Sequence, residues 1–233
     1  MRIWDVAAGY LNRQSLLGEH RELHGLRSIL VSGKRGYSRH PETLRWVGCL
    51  SGLARRHDAL VAEMRLRGYV DRTPVRCARR GDTWPQAFVT EPADQLLLLR
   101  RKYSGREKGR IALPSSPQEL WAHHKYSVMA RSPDTYRSIG RAVARLRPSA
   151  PIDSVARDVV LILRQRPADG PLTNAVEHMW GHVRGFASAE DVAAAKRSPR
   201  EAFRRTQSLA VGHGEAYLLA STALSELTAF LPR

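Results

Sequence analysis

Apolar residues recur at the spacing of an α-helix along most of this chain. One stripe of leucines begins shortly after the N-terminus, and Leu16 and Leu23 belong to it. A second stripe begins at Pro41, which suits the first turn of a helix, and continues to a stop at Gly68. The helices predicted in this half of the chain cover 13–31, 41–67 and 92–103.

The second half carries repeated signals for helix starts. Ser116 and Ser198 each combine a capping box with a proline at the first helical position. Ser132 and Ser188 are predicted to begin two further helices. No segment shows the alternation of a β-strand, so the predicted fold class is all-α. The helices predicted in this half cover 117–130, 133–146, 152–164, 171–186 and 200–231.

The best candidate for a linker is the stretch SGREKGRIALPSSP at 104–117, which has glycine, serine, proline and charge but no apolar period. We therefore predict one helical domain over 1–105, a linker over 106–116 and a second helical domain over 117–233. Within the first domain, residues 71–91 are predicted to form an irregular basic loop.

The charge of the chain is strongly positive. Its 233 residues include 38 Lys and Arg against 22 Asp and Glu, which gives a net charge of +16. The excess is +11 in residues 1–115 and +5 in the remainder. Most of the basic residues are arginines, which bind phosphate in a bidentate manner. This balance favours a polyanionic partner, nucleic acid first.

The remaining composition points to the cytoplasm. The N-terminus lacks the pattern of a signal peptide, and no apolar run approaches the length of a membrane span. The two cysteines, Cys49 and Cys77, show neither a CxxC motif nor a metal-binding spacing. We predict a cytoplasmic, nucleoid-associated protein with reduced cysteines and no membrane partner.

The histidines do not predict a metal site. His57 falls within an apolar stripe, where a satisfied core histidine is the usual interpretation. His178 and His182 form an i, i+4 pair without a third ligand, and such a pair is usually structural or solvent-facing. The sequence therefore predicts neither a metal nor an organic cofactor.

Glu22 is the candidate functional carboxylate of the first predicted helix. Gly18 and Gly25 flank it on the same helical face. Each glycine inside a helix costs about 1 kcal/mol relative to alanine, so two around one carboxylate suggest that something approaches this face closely. No basic residue lies at i±3 or i±4 to pair with Glu22. Glu22 is therefore a candidate for chemistry, with an ordinary solvated helix charge as the alternative.

Three motifs in the first half resemble those of a known family. RQSLLGEHREL at 13–23, SGKRGY at 32–37 and LVAEMRLRGY at 60–69 resemble the pyrimidine dimer DNA glycosylases of the endonuclease V type. The resemblance covers roughly residues 1–105 and implies an all-helical fold. It also implies two activities, which are removal of a damaged pyrimidine base and cleavage of the DNA backbone at the abasic sugar.

The resemblance implies that the nucleophile is the chain terminus itself. In this family the α-amine of the mature first residue attacks C1′ of the sugar to form an imine, and a glutamate at the position of Glu22 acts with it. Alignment through this glutamate places Met1 at that terminus. Arg2 is too bulky for ordinary methionine removal, so we predict that the Met1 α-amine is the nucleophile once any formyl group has gone. An α-amine is partly neutral at cellular pH, unlike a lysine side chain.

Two family positions differ in this chain. A histidine near the start of the helix is replaced by Ser15, and an arginine after the glutamate falls on Gly25, with His24 and Arg27 as possible stand-ins. The resemblance also implies that Arg21 helps to hold DNA, and Arg2 matches a basic residue beside the family's terminus.

Other basic groups suit the phosphates of DNA by their placement. They lie on the arginine-rich face of the predicted 41–67 helix, in the loop at 72–80 and in SGKRGY. The predicted partner is damaged double-stranded DNA, and the oligomeric state is left open. The residues predicted to bind DNA are Arg2, Arg13, Arg21, His24, Arg27, Lys34, Arg35, Arg55 and Arg56.

The second half resembles a bacterial helical domain of unknown function. The residues that carry this resemblance are HHKYSVMARSPDTYRSIGR at 123–141 and NAVEHMWGHVRGF at 174–186. It implies no activity.

Three alternatives remain open. The same amine chemistry could act on another lesion, such as an abasic site, an alkylated base or a crosslink. The chain could be a basic DNA-binding module without catalysis. A metal-dependent nuclease would need a carboxylate cluster for Mg²⁺, and the sequence contains no such motif.

Overall fold

The computed structural model describes residues 1–75 and 83–231 of the chain. The chain divides into two compact units, Met1–Gly109 and Arg110–Arg233. Throughout the described residues the structure consists of helices and connecting segments, without a β-strand. The all-α fold class predicted from the sequence is therefore confirmed.

The boundary between the units falls inside the predicted linker, 106–116. The exact bounds given for the linker and the two domains stay a prediction. Two other sequence predictions concern residues outside the described part of the chain. They are the end of the basic loop, 76–80, and the reduced state of Cys77.

The first unit is built around the packing of two long helices. A single 3-10 turn at Ala8–Tyr10 precedes them. Leu16 and Leu23 of the first long helix, and Leu60 of the second, are completely buried where the two helices meet. The helices of this unit are α1 (Arg13–Ser32), α2 (Pro41–Arg45), α3 (Leu50–Leu66) and α4 (Pro92–Lys102).

The prediction of one continuous helix over 41–67 is wrong. Gly48 adopts a φ of 78°, a left-handed conformation that glycine reaches without strain, and this residue separates α2 from α3. Trp46 is buried before the break, whereas Val47 is exposed. An apolar stripe cannot reveal such a break, because the spacing of the buried residues continues beyond it.

Helix α1 begins at a well-fixed point. The side chain of Asn12 accepts a hydrogen bond from the Ser15 N–H at 2.9 Å, as an N-cap residue does. The N–H of Asn12 donates to the hydroxyl of Tyr103, just beyond α4, at 3.0 Å. The start of α1 is thereby tied to the end of α4.

The second unit contains eight further helices within the described residues. The four predicted serine caps are all observed, and each serine side chain accepts a hydrogen bond from the third residue of its helix. The helices are α5 (Pro117–Met129), α6 (Pro133–Ala144), α7 (Asp153–Leu163), α8 (Asp169–Val183), α9 (Ala189–Ala195), α10 (Pro199–Gly212), α11 (Ala216–Leu219) and α12 (Ala223–Glu226).

Two details of the second unit differ from the sequence prediction. Among the described caps, the reciprocal capping box forms at Ser188, whereas at Ser116 the carboxylate of Glu119 binds Ser115 instead. The single helix predicted over 200–231 is three helices, and the first break lies where the chain turns at Gly214 with a φ of 64°. Single 3-10 turns complete the unit at Arg184–Phe186 and Leu227–Ala229.

Candidate functional site

The first six residues form an irregular segment whose main chain is held by side chains from the helices around it. The N–H of Asp5 donates to Oε1 of Gln95 on α4 at 2.8 Å. The carbonyl of Ile3 accepts from Arg45 of α2 at 2.8 Å, and Arg45 also contacts both oxygens of Asp5 at 3.1 Å. These contacts fix the direction in which the chain terminus points.

A buried ion pair between α1 and α3 is the centre of this arrangement. Glu19 receives Nε of Arg56 at 2.7 Å and Nη2 of the same guanidinium at 2.8 Å. The pair also binds the terminal segment, because the Trp4 N–H donates to Glu19 at 3.1 Å and Arg56 donates to the Val6 carbonyl at 2.9 Å. Burial raises the pKa of Glu19, and the adjacent Arg56 charge opposes that rise.

These contacts correct the prediction that the arginines of 41–67 present a common face to DNA. Arg56 is buried against Glu19, so it is not available to bind a phosphate. Arg45 pairs with Asp5 and Glu42, and Arg67 pairs with Glu63 while it donates to the carbonyl of Leu11. Arg55 is half-buried and Arg65 is exposed. A helical period alone cannot separate these groups, since their partners lie far away in sequence.

We expect Arg56→Ala to lower the free energy of unfolding by about 3–5 kcal/mol, because it would leave the buried Glu19 charge without compensation. Urea denaturation followed by circular dichroism measures this change. The matched control is Arg65→Ala on the exposed side of the same helix, with an expected change within about 0.5 kcal/mol. Equal stability of the two variants would show that the Glu19–Arg56 pair does not hold the unit together.

The chain terminus and Glu22 lie together. The α-amine of Met1 is 4.0 Å from Oε1 of Glu22. The other carboxylate oxygen, Oε2, accepts a hydrogen bond from the N–H of Arg2 at 2.5 Å. The Glu22 side chain is 43% exposed, so the carboxylate is both anchored and open to a ligand.

A pocket of about 400 Å³ opens beside this carboxylate. It is large enough for a small-molecule-sized group, since ligand pockets span about 300–1,000 Å³. A Cβ added to Gly18 on its wall would contact no atom within 4 Å, so the glycine leaves that face open. Three of the lining residues, Arg2, Arg21 and Lys102, are basic. The lining residues are Arg2, Trp4, Gln14, Ser15, Gly18, Glu19, Arg21, Glu22 and Lys102.

The lining residues that the sequence analysis missed include Trp4, Gln14 and Lys102. Lys102 is the last residue of α4, and Gln14 lies in the first turn of α1. The basic end of α4, with Arg100, Arg101 and Lys102 in its last turn, is the signal that could have indicated the lysine. Nothing in the local pattern indicates that α4 ends beside Glu22.

The remaining residues predicted to bind DNA are placed differently from one another. Arg2 and Arg21 line the pocket, whereas the others do not. His24 lies instead in a cluster with two further histidines, so its role as a stand-in for the family's arginine is not favoured. The predicted residues away from the pocket include exposed Arg13, Lys34 and Arg35 and half-buried Arg27 and Arg55.

The histidine cluster consists of His20 and His24 on α1 and His57 on α3, whose ring centroids lie 4.7 to 5.1 Å apart. His57 is buried, as predicted for a core histidine, but the prediction that it is satisfied is wrong, because neither of its ring nitrogens has a hydrogen-bond partner. Burial lowers the pKa of His20 and of His24, and repulsion between neighbouring rings lowers both further.

The first unit of this helical protein thus combines a terminal amine, a half-exposed carboxylate and a pocket whose lining includes Arg2, Arg21 and Lys102. Residues 1–76 match the model of a family described as pyrimidine dimer DNA glycosylase. Residues 125–225 match a family described as a protein of unknown function, DUF1722. The resemblances predicted for the two halves are thus confirmed, although the first match ends at residue 76 rather than near 105.

The match of the first unit supports a DNA repair role of the pyrimidine dimer glycosylase type, with DNA as the substrate. No curated protein and no solved structure matches the chain. Across the described ranges, no helix is long and apolar enough to cross a membrane.

Proposed function

We propose that this chain is a bifunctional DNA glycosylase and AP lyase that excises damaged pyrimidines, pyrimidine dimers first. The observation that carries the proposal is the distance of 4.0 Å between the Met1 α-amine and the Glu22 carboxylate. The family match of residues 1–76 supports the substrate class. The open pocket beside Glu22 supplies room for an extruded nucleotide.

In the proposed reaction the neutral Met1 amine attacks C1′ of the damaged nucleotide. The bond between C1′ and the base nitrogen breaks through a transition state with oxocarbenium character, and the base leaves with a proton. The negative charge of Glu22 stabilises the positive charge that develops on the sugar. Glu22 then accepts a proton from the former amine and passes it to O4′, so that the C1′–O4′ bond breaks, the sugar ring opens and the imine forms.

The strand is cut in the second stage. Removal of a proton from C2′ drives β-elimination, in which the C3′–O bond breaks and the phosphate departs with the downstream strand. Water then hydrolyses the imine and frees the Met1 amine. The hydrogen bond from the Arg2 N–H holds Oε2 of Glu22 throughout, so that Oε1 stays turned towards the amine.

The basic residues around the pocket are proposed to bind the DNA backbone. We assign the phosphates that flank the extruded nucleotide to Arg2, Arg21 and Lys102, because these residues line the pocket beside Glu22. The exposed Arg13, Lys34 and Arg35 are proposed to contact the duplex further away. Binding should weaken steeply with salt, as expected when several cations neutralise phosphates.

The competing proposal keeps this chemistry but changes the lesion. It is favoured by one observation, the placement of His24 in the histidine cluster, since this leaves Arg27 as the one remaining stand-in proposed for the family's arginine after the glutamate. An abasic site, an alkylated base or a crosslink would then be the natural substrate.

Borohydride trapping tests both proposals. Duplexes that carry a pyrimidine dimer, an abasic site, an alkylated base or no lesion are incubated with the full-length protein and borohydride, which reduces an imine to a stable amine. We expect a covalent complex with the dimer duplex and none with the undamaged one. Trapping on the abasic duplex alone would support a lyase for another lesion, and no trapping on any duplex would contradict the amine mechanism.

A further inference from the structure

Three histidines of the first unit converge at a point away from the pocket beside Glu22. His20 and His24 lie one turn apart on α1, and His57 reaches them from α3. One nitrogen from each ring can be chosen so that all three atoms lie within 4.8 Å of one another. None of the three lines the pocket.

The ring nitrogens in this cluster are poorly satisfied by the protein. His57 is 2% exposed, and neither of its nitrogens has a hydrogen-bond partner. His20 is 9% exposed, and its Nε2 likewise has none. Buried polar atoms are nearly always hydrogen-bonded, and a ligand shared by these imidazole nitrogens would satisfy them.

A carboxylate completes the group. Asp71, in the segment after α3, places Oδ1 3.4 Å from Nε2 of His20 and Oδ2 3.9 Å from Nε2 of His57. Its orientation is fixed by Thr73, whose N–H and hydroxyl donate to Oδ1 at 2.9 and 3.1 Å. The same hydroxyl lies 3.1 Å from Nε2 of His24. Thr73 therefore connects the carboxylate and one imidazole in the way that outer-shell groups orient metal ligands.

We propose that His20, His24, His57 and Asp71 bind a divalent transition-metal ion, Zn²⁺ before others. Three imidazoles and one carboxylate are ligands that zinc accepts, and a closed set of four is typical of a structural site. Zinc–ligand bonds of about 2.0–2.1 Å place tetrahedral ligands about 3.4 Å apart, so the side chains approach one another by about 1 Å on binding.

The ion would fasten three parts of the first unit to one another, namely α1, α3 and the segment that carries Asp71. Glu22 lies between His20 and His24 in sequence, on the same stretch of α1. The metal would therefore stabilise the helical turn that presents Glu22 without touching the pocket. This role does not depend on the reaction that we propose for the pocket.

Metal binding is tested on the full chain, purified without a histidine tag and treated with a chelator. Zn²⁺ is titrated in competition with a chromophoric chelator, and Co²⁺ is titrated separately, because its visible absorption reports tetrahedral coordination. We expect one Zn²⁺ per chain and a higher thermal midpoint of unfolding when zinc is present, as for any ligand of the native state.

Two variants test the assignment of the ligands. His24→Gln changes the most accessible of the three rings, and Asp71→Asn changes the carboxylate outside the helices. In each we expect a loss of zinc affinity at least as large as the roughly 10–100-fold loss caused by removing outer-shell partners. The matched control is His178→Gln, which changes an exposed member of the other i, i+4 pair and should leave affinity unchanged.

The outcomes are distinct. Equimolar binding that is weakened in both variants and kept in the control supports the site. The proposal fails if the unaltered chain binds no equimolar zinc, in which case the imidazoles are packed as neutral rings. It fails equally if His24→Gln and Asp71→Asn bind zinc as tightly as the unaltered chain. Helical circular dichroism of each variant shows that the fold is retained.

Discussion

Glu22→Gln is expected to slow base removal by roughly three orders of magnitude, the range found when an acid–base group or a charge-stabilising group is lost. Glutamine keeps an oxygen that can accept the hydrogen bond from the Arg2 N–H, so the local geometry is conserved. What disappears is the negative charge opposite the sugar and the acceptor for the amine proton. Single-turnover kinetics on a dimer-containing duplex measure the rate of this step.

Affinity for the duplex distinguishes chemistry from binding in this variant. We expect Glu22→Gln to bind the damaged duplex at least as tightly as the unaltered protein, because one negative charge near phosphate is removed. The matched control is Glu107→Gln, which alters the charge by the same amount at an exposed position outside the pocket. A variant Glu22→Gln with normal base removal would show that this carboxylate is an ordinary surface charge.

Extending the chain ahead of Met1 is expected to abolish the covalent complex. A Gly-Ser extension converts the α-amine into an amide, which cannot form an imine, and it moves the free amine away from the Glu22 carboxylate. The terminal segment is held by Gln95, Arg45 and Arg56, so an added residue cannot take the place of Met1 by a simple shift of the chain. Borohydride trapping on the abasic and dimer duplexes measures the loss.

Restoration of the amine is the control for this experiment. A protease site placed so that cleavage leaves Met1 as the first residue should return trapping to the level of the unextended protein. Intact mass of each preparation shows which residue begins the chain, and it also tests the prediction that Met1 is retained ahead of Arg2. Undiminished trapping by the extended protein would exclude the terminal amine as the nucleophile.

The helices of this protein could be predicted well from its sequence, and their breaks less well. The stripe of α1 and the serine caps of the second unit are local signals that the structure reproduces. The break at Gly48 depends on one backbone angle, which no apolar pattern encodes.

The candidate site could be predicted only in part, because its contacts join residues that are distant in sequence. Glu22 was found from its flanking glycines, and Met1 from the family resemblance. Arg56 was assigned to DNA because the local sequence does not reveal its partner. That partner, Glu19, lies 37 positions away on another helix. The histidine cluster was missed for the same reason, since His57 belongs to a different helix from His20 and His24.

The contacts between the terminal segment and α4 determine the shortest fragment of the first unit that can fold on its own. The family match ends at residue 76, but Gln95 and Tyr103 lie beyond it and bind Asp5 and Asn12. A fragment cut at residue 76 would lose the contacts that hold the irregular terminal segment and the start of α1. A minimal folded piece therefore has to include Tyr103, just beyond the end of α4 and well past the region that sequence similarity delimits.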